Sequence, residues 1–268
     1  MSLPLQIENV SFAYGPQTIL RDISFTVEGG GFLAVAGPNG AGKSTLLNLI
    51  CGLLRPQRGR IRIDACDIHS YSVKALARKV AVVHQEFVPA FDFTVAEIVA
   101  MARTPYMSAF GFESQTDKEI IDQVLDMTDT ARFASRPLAS LSAGERQRVL
   151  IARAVAQDTP ILLLDEPATF LDLKHQVDLH DLLKKMQLEM NKTILAVTHD
   201  INLSAQYCDQ ALLLTTDLAR RWLFGKTADV FSQQQVEQVF GVKTFSCSVG
   251  KEKFFLPLGR LAKDSPSD

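Results

Sequence analysis

A glycine-rich loop constrains the fold of this chain more than any other feature of its sequence. The loop and the helix start after it are nine consecutive residues: Gly37, Pro38, Asn39, Gly40, Ala41, Gly42, Lys43, Ser44 and Thr45. They fit the pattern G-x-x-x-x-G-K-[ST], in which glycines let consecutive backbone N–H groups point at a phosphate beside a helix N-terminus. The apolar run before the loop, 32–36, suits a strand buried on both faces. The pattern predicts a strand, loop and helix that bind nucleotide phosphates.

Four polar side chains are expected to carry the chemistry of this site. Lys43 can reach the β- and γ-phosphate oxygens, and the hydroxyl of Ser44 is expected to ligate Mg²⁺. A second apolar strand, 161–164, ends in Asp165 and Glu166. Ligands of open α/β sheets bind at the carboxyl ends of the strands, so both carboxylates should lie beside the loop. We expect Asp165 on the magnesium side and Glu166 as the base or orienter of the attacking water.

The order of segments predicts an α/β P-loop NTPase. Strand patterns occur at 32–36, 60–64 and 80–84, and from 161 onwards the strand patterns 161–164, 193–198 and 211–214 alternate with helical ones. Such alternation implies a mainly parallel core sheet with helices on both faces. The first 36 residues have strand spacing, which indicates an antiparallel β part, and 94–157 is mostly helical, which indicates a helical insert. Towards the end, a strand around 220–224, a helix at 233–240 and a strand pair at 243–257 are expected.

Composition excludes several classes of protein. With 28 Lys and Arg against 30 Asp and Glu, the net charge of −2 supplies no basic field for nucleic acid. No apolar stretch reaches the roughly 18 residues of a membrane span, and the N-terminus lacks the features of a signal peptide. We therefore expect a chain that stays in the cytosol. The four cysteines have no C-x-x-C spacing and are interpreted as buried small hydrophobes: Cys51, Cys66, Cys208 and Cys247.

A third motif narrows the choice among the many families of protein that carry a phosphate loop. The segment 141–148 reads LSAGERQR, about 100 residues after Lys43 and about 20 before Glu166. On its own it is a capping box that starts a helix. With the other two motifs, it makes the sequence resemble the ATP-binding subunit of an ABC transporter. In that family this helix start binds the γ-phosphate held by the opposite subunit, which implies four residues acting in trans: Ser142, Ala143, Gly144 and Glu145.

Two residues of this motif depart from the family's commonest pattern. Ala143 and Glu145 stand where Gly and Gln are usual. The methyl group of an alanine leaves the backbone N–H in place, but a positive φ at Ala143 would be costly. We expect little loss of function.

Four further positions match residues of known role in the family. The resemblance implies that Gln85 touches magnesium and water, and that His199 contacts the γ-phosphate. It places Asp172 in the loop that faces the partner subunit and stacks Tyr14 on adenine. An isolated His or Tyr at a strand end is more often structural, so these roles depend on the resemblance.

The resemblance, which covers residues 5 to about 225, also implies an organisation and a set of partners. It implies one ABC ATPase domain over 1–268, divided into a core with β subdomain (1–85 and 160–225), a helical subdomain with the signature motif (86–158) and a C-terminal extension (226–268). The implied cofactors are ATP and Mg²⁺. The implied partners are a second copy in a head-to-tail dimer, polytopic membrane permease subunits and a periplasmic or surface substrate-binding protein, with no nucleic acid. The chain would lie on the cytoplasmic face of the cell membrane, held by the permease.

Aromatic residues are concentrated between the phosphate loop and the segment 141–148. Residues 86–112 hold six of the 21 aromatic residues: Phe87, Phe91, Phe93, Tyr106, Phe110 and Phe112. In the family this stretch forms the groove that receives a helix of the membrane subunit, so the rings could line that groove. They could equally form the core of the helical insert. Both interpretations stay open at this stage.

Short segments indicate the type of transporter. Four of them resemble importers for iron-siderophore, haem and cobalamin: 94–99, 103–106, 172–179 and 239–242. The implied function is the ATP-hydrolysing subunit of such an importer, in which ATP binding closes a dimer and hydrolysis reopens it. An importer of zinc, manganese or molybdate is the nearest alternative. A soluble ABC ATPase acting on DNA or ribosomes is a more distant one.

Overall fold

The described part of the chain contains twelve strands and nine α-helices. The computed structural model describes residues 4–85, 87, 89, 91–107, 114–169, 171–217, 222–250 and 252–259. The strands are β1 (Leu5–Tyr14), β2 (Gln17–Val27), β3 (Phe32–Ala36), β4 (Arg58–Ile63), β5 (Cys66–Asp67), β6 (Val80–Val83), β7 (Ile161–Asp165), β8 (Thr193–Val197), β9 (Gln210–Leu213), β10 (Leu223–Lys226), β11 (Thr244–Val249) and β12 (Glu252–Pro257). The helices are α1 (Lys43–Ile50), α2 (Val73–Ala77), α3 (Val95–Ala100), α4 (Gln115–Met127), α5 (Ala143–Ala156), α6 (Leu173–Met190), α7 (Ile201–Tyr207), α8 (Thr227–Val230) and α9 (Gln233–Phe240).

The central sheet has six strands in the order β10-β9-β3-β8-β7-β6. Strands β9, β3, β8, β7 and β6 pair in parallel, and β10 joins the edge antiparallel. Every residue of β3, β7 and β8 is buried, as expected for strands covered on both faces. This confirms the mainly parallel core sheet, and it brings the carboxyl ends of β3, β6, β7 and β8 to one edge.

A second sheet and a hairpin are antiparallel. The second sheet has the order β2-β1-β4-β5, and β11 pairs with β12 alone. In β1 the residues that face the core alternate with more exposed ones, the pattern of a sheet with one covered side. The antiparallel β part and the C-terminal strand pair are therefore confirmed.

The two faces of the central sheet build two cores. In β3, Phe32 and Ala34 belong to a cluster with the helical insert and the C-terminal region, whereas Leu33 and Val35 belong to one with α1 and the antiparallel sheet. This division follows from the alternation of side chains along a strand. The phosphate loop leaves the sheet where these two cores meet.

An ion pair is buried inside the helical insert. Arg103 Nε donates to Asp117 Oδ1 at 2.7 Å, and the two side chains are only 6% and 7% exposed. Ser114 also donates to Asp117, which closes the capping box at the start of α4. The Ser114 hydroxyl, followed by Arg103, holds the pKa of Asp117 below its usual value despite burial. The pair ties α4 to the end of α5, because Arg103 Nη1 also donates to Ala156 O.

We expect Asp117→Asn to destabilise the protein strongly. Removing one charge of a buried pair leaves the Arg103 guanidinium uncompensated, which costs about 3–5 kcal/mol. Urea unfolding should show this loss. Asp122→Asn, an exposed change on the same helix, should stay within about 0.5 kcal/mol of wild type. Equal stabilities for the two variants would contradict the structural role of the pair.

The same pair should give the unfolding free energy a pH dependence. The folded pKa of Asp117 lies below its ordinary value of 3.8, so its contribution is complete above that value. As the pH falls, the unfolded state takes up the proton first, and the contribution is lost as the pH passes through the folded pKa. The difference between wild type and Asp117→Asn should therefore shrink below about pH 4.

The cysteines differ from the sequence-based interpretation. All four are free thiols; Cys208 is buried, Cys51 and Cys247 are half-buried, and Cys66 is exposed. The prediction that all four are buried is confirmed only for Cys208. It was wrong for the half-buried Cys51 and Cys247, and most clearly for Cys66, which lies in a two-residue strand at the edge of the antiparallel sheet. In the part of the chain that the structure describes, no helix is long and apolar enough to cross a membrane.

Candidate nucleotide-binding site

The phosphate loop connects β3 to α1 and needs glycine at two positions. Gly37 has φ 150°, and a Cβ there would lie 2.5 Å from Leu214 O. Gly42 caps α1 with φ 90°, and its Cβ would lie 2.7 Å from Leu20 Cδ2. The backbone conformation disfavours a side chain at both positions, and at Gly37 a side chain would also clash with a backbone oxygen. The loop therefore has the open, backbone-lined form that a phosphate requires.

Lys43 is buried at the first position of α1. Its Nζ donates to Gly37 O at 2.9 Å and to Pro38 O at 3.1 Å. Burial lowers the pKa of Lys43, and the nearby Glu166 and Asp165 carboxylates partly oppose this shift. The ammonium group is thus held over the loop by two neutral carbonyls, contacts that a phosphate can replace with a stronger charged one.

The Asp165 carboxylate stands at the end of β7 with an oxygen that lacks a partner. Its Oδ1 is buried and makes no hydrogen bond, and the hydroxyl of Ser44 lies near the carboxylate. Burial raises the pKa of Asp165, and the polar Ser44 hydroxyl opposes the shift. A hydroxyl and a carboxylate are the hard oxygen ligands that Mg²⁺ prefers, and the unpaired Oδ1 offers it a free donor. Ser44 and Asp165, two of the three residues predicted to contact magnesium, therefore fit such an ion.

Mg²⁺ needs few protein ligands when a nucleotide supplies the others. Among the described residues, no three or more His, Cys, Asp or Glu side chains group as a metal cage would. Ions at nucleotide sites are held by one or two protein oxygens together with phosphates and water. The pair Ser44 and Asp165 matches that second kind of site.

Glu166 follows β7 directly and contacts residues at or just beyond the ends of the neighbouring strands β6 and β8. Its φ of 51° turns the chain sharply after β7, and its N–H donates to Val197 O at 3.1 Å. Gln85 Nε2 donates to Glu166 Oε2 at 3.1 Å, and His199 Nε2 contacts Oε1. The structure therefore brings together the three residues predicted to act on the γ-phosphate and water: Gln85, Glu166 and His199. The Glu166 side chain is 15% exposed and that of His199 43%.

Thr169 adds to this group a hydroxyl that no sequence motif marked. Thr169 Oγ1 donates to Glu166 Oε2 at 3.2 Å, so it shares this oxygen with Gln85. Thr169 follows Glu166 by three residues, in the turn that the positive φ of Glu166 begins. A hydroxyl three residues after a strand-end carboxylate was a usable signal, but the turn that folds it back is set by the tertiary structure.

The signature segment forms the N-terminus of α5. Ser142 Oγ accepts from the Glu145 N–H at 3.3 Å, and Glu145 Oε2 accepts from the Ser142 N–H at 2.8 Å, which completes the expected capping box. The latter bond lowers the pKa of Glu145. Ala143 is the first helical residue and has no positive φ, so the backbone strain that a positive φ would cause there does not arise. The contact with a second copy stays a prediction.

Two residues placed by resemblance have additional local contacts. Tyr14 ends β1, is 50% exposed and packs edge-on against Phe12, with ring centroids 4.9 Å apart. Asp172 caps α6, accepts from the His175 N–H at 2.9 Å and pairs with the His175 ring. That N–H bond lowers the pKa of Asp172. Stacking of Tyr14 on adenine and contact of Asp172 with a partner subunit stay predictions.

The aromatic residues of 86–112 are divided between the two interpretations. Phe91 is 72% exposed and meets Phe93 edge-on, whereas Phe87 and Phe93 pack partly against the core. Tyr106 lies under the guanidinium groups of Arg78 and Arg103. Phe110 and Phe112 lie outside the described residues. Among the rings of this stretch that the structure describes, Phe91 is therefore the one exposed enough to line a groove.

Comparison with known proteins identifies the family. Residues 20–169, just over half of the chain, match the model of a family described as ABC transporter. The chain belongs to this family. The phosphate loop, Ser142 and Glu166 all lie inside the matched span. ATP is accordingly the nucleotide of this phosphate loop, and the family-level expectation is confirmed.

Two curated relatives illustrate the range of similarity. The cobalamin import ATP-binding protein BtuD of Halobacterium salinarum is 38% identical over 79% of this chain and 53% of its own length. The chain thus spans about half the length of that relative. The achromobactin transport ATP-binding protein CbrD of Dickeya dadantii is 36% identical over 94% of this chain and 93% of its own length.

Solved structures match the fold over most of the chain. One is a metal-chelate type ABC transporter in an inward-facing conformation, with a TM-score of 0.84, 31% identity and coverage of 97% of this chain and 99% of that one. Another is the dimeric, post-hydrolysis state of the ATP-binding cassette MJ0796 bound to ADP and Pi, with a TM-score of 0.70, 32% identity and coverage of 78% and 94%. Both are similar to this chain, and they confirm the ABC-type fold.

Proposed function

We propose that this chain is the ATP-hydrolysing subunit of a membrane import complex for an iron-siderophore, haem or cobalamin. The observation that carries the catalytic part is the position of Glu166, which Gln85, Thr169 and His199 hold at the sheet edge beside the phosphate loop. The cargo class follows from the relatives named for cobalamin and achromobactin and from the metal-chelate type structure.

Each group of the site has a task in this proposal. Lys43 exchanges the Gly37 and Pro38 carbonyls for β- and γ-phosphate oxygens, while loop N–H groups bind the same phosphates. Ser44 and Asp165, with Gln85 nearby, hold Mg²⁺, which neutralises charge on the phosphates. Glu166 orients the attacking water and accepts its proton, and His199 contacts the γ-phosphate.

A second copy of the chain completes the proposed site. The N-terminus of α5 presents free N–H groups and the Ser142 hydroxyl, a good binding site for a phosphate of the opposite copy. Asp172 faces the same partner from the start of α6. A head-to-tail pair with two such sites is a closed two-fold assembly, and the dimeric MJ0796 cassette supports this arrangement.

The remaining partners are proposed from the family. Polytopic permease subunits bind the groove that Phe91 lines, the complex includes a periplasmic or surface substrate-binding protein, and the chain lies on the cytoplasmic side of the membrane. The core, helical and C-terminal divisions drawn from the sequence belong to the same proposal. Import of zinc, manganese or molybdate is less favoured, because the two relatives are named for cobalamin import and achromobactin transport.

Uptake by cells that lack this gene tests the proposal. Wild-type protein should restore uptake of one labelled cargo among ferric siderophore, haem and cobalamin, and Phe91→Asp should restore little, because a charge at a 72% exposed ring disrupts an apolar contact. Leu188→Asp is the matched control, since Leu188 is 69% exposed on α6. Restored zinc, manganese or molybdate uptake would favour the alternative importer.

A pull-down with a tagged chain tests the transport role separately. Recovery of ribosomes or DNA, without a membrane protein, would refute that role.

A further inference from the structure

The C-terminal extension folds as one unit beside the catalytic edge. Helix α9 is joined to strand β11 because Glu237 Oε1 accepts from the Thr244 N–H at 2.7 Å and Gln233 Nε2 donates to Thr244 O at 2.7 Å. Val236 of α9 and Phe255 of β12 are buried at 2% and 4% exposure in the core that contains part of the central sheet. We call α9 with the hairpin β11–β12 the C-terminal unit.

This unit is bonded to α7 through an amide. Asn202 Nδ2 donates to Phe255 O at 3.2 Å, and Asn202 Oδ1 accepts from the Phe255 N–H at 2.8 Å. The side-chain amide thus satisfies both backbone groups of a buried residue, as a neighbouring strand would. Such two-point contact fixes orientation as well as distance.

Asn202 lies three residues after His199, in the first turn of α7. Before His199, the chain is fixed by β8 and by Thr198 directly after it, whose N–H donates to Val35 O at 3.1 Å. After it, Asp200 caps α7 by accepting from the Leu203 N–H at 2.9 Å. The position of His199 therefore depends on a rigid strand on one side and on the placement of a seven-residue helix on the other.

A cavity separates His199 from the C-terminal unit. It measures about 480 Å³ and is lined by His199 and Asn202 on one side and by Val236, Phe240 and Phe255 on the other. Because the first turn of α7 borders this cavity, it has room to shift. The Asn202 amide bridges the two walls and restrains that shift.

We infer that the C-terminal unit holds His199 in the position that acts on the γ-phosphate, and that Asn202 is the positioning residue through which it does so. This inference rests on the role proposed for His199. Asn202 touches no reacting atom. Its effect is on the orientation of the histidine, and a misplacement of 1 Å can lower a rate by up to about 100-fold.

Four variants test this coupling by their ATPase kinetics. Asn202→Ala should lower kcat by about tenfold with little change in KM for ATP, because Lys43 and the loop are untouched. Gln206→Ala, an exposed amide on the same helix, should match wild type. His199→Ala should lose most turnover, and adding Asn202→Ala to it should lower kcat no further, since the residue to be positioned is gone.

The outcomes separate the inference from the function on which it rests. If Asn202→Ala matches Gln206→Ala, or lowers kcat by the same factor with and without His199, the positioning role is overturned. Wild-type turnover in His199→Ala overturns the proposed role of His199 itself, and with it the inference. A wild-type chain without ATPase activity contradicts the proposed function directly.

Hydrogen exchange in the unmodified protein gives a test that does not depend on folding of a variant. If the unit favours the active position of His199, a bound nucleotide must favour docking of the unit, because coupling between sites is reciprocal. Amides of β12, Phe255 above all, should exchange more slowly with Mg²⁺ and the β,γ-imido analogue of ATP than without them. Unchanged exchange in β12, with the phosphate loop protected, overturns the inference.

Discussion

Replacing Glu166 by Gln should lower ATP turnover by about 100- to 10,000-fold, the usual contribution of a general base. The amide has nearly the same size and can keep the bonds to Gln85 and Thr169, but it cannot accept a proton from water. The loop that binds ATP is unchanged, so ATP affinity should be preserved. Steady-state phosphate release and equilibrium nucleotide binding measure the two quantities separately.

The same variant should accumulate as a nucleotide-bound dimer. If ATP joins two copies and hydrolysis separates them, a chain that binds ATP without hydrolysing it stays in the joined state. Size-exclusion chromatography with Mg²⁺ and ATP should shift Glu166→Gln to twice the mass of the ATP-free chain. Glu189→Gln, an exposed change in α6, is the control and should hydrolyse ATP as wild type does. Normal turnover by Glu166→Gln would remove this residue from the base role.

Much of the site could be predicted because parallel strands align their ends. The apolar runs before Gly37, Gln85, Glu166 and His199 are strands of one parallel sheet, so residues that follow them must meet at one edge. Periodicity also located α9 at the bounds found in the structure. Local spacing was sufficient for these features, since each depends on backbone conformation over a few residues.

Contacts between distant segments could not be predicted in this way. The pairing of Asn202 with Phe255 joins residues 53 apart, and no period in the sequence marks an amide that will replace a strand. The bond from Gln85 to Glu166 spans 81 residues. Sheet order brings such residues near each other, but side-chain rotamers decide which atoms meet. The exposure of Cys66 could not be predicted for the same reason. Its strand lies at the edge of a sheet, and which strand forms an edge depends on pairing between distant segments.

Lys43→Ala should weaken ATP binding by about 1.5–3 kcal/mol, the range for a hydrogen bond to a charged group. The loss corresponds to roughly a 10- to 150-fold higher Kd, measured by titration with a fluorescent ATP analogue. The Lys43 ammonium, now bonded to Gly37 O and Pro38 O, is a cation that already lies against the loop and can contact a phosphate there.

Lys192→Ala distinguishes a lost phosphate contact from the general cost of deleting a buried lysine. Lys192 is buried to a similar degree, 8% exposed against 6% for Lys43, and its Nζ donates to Thr159 O and pairs with Asp158. Both substitutions remove a buried lysine side chain and its hydrogen bonds to backbone carbonyls, so both should lower the free energy of unfolding. ATP affinity should fall only in Lys43→Ala, because Lys192 does not border the loop. Equal ATP affinities in the two variants would mean that the loop binds phosphate through its backbone alone.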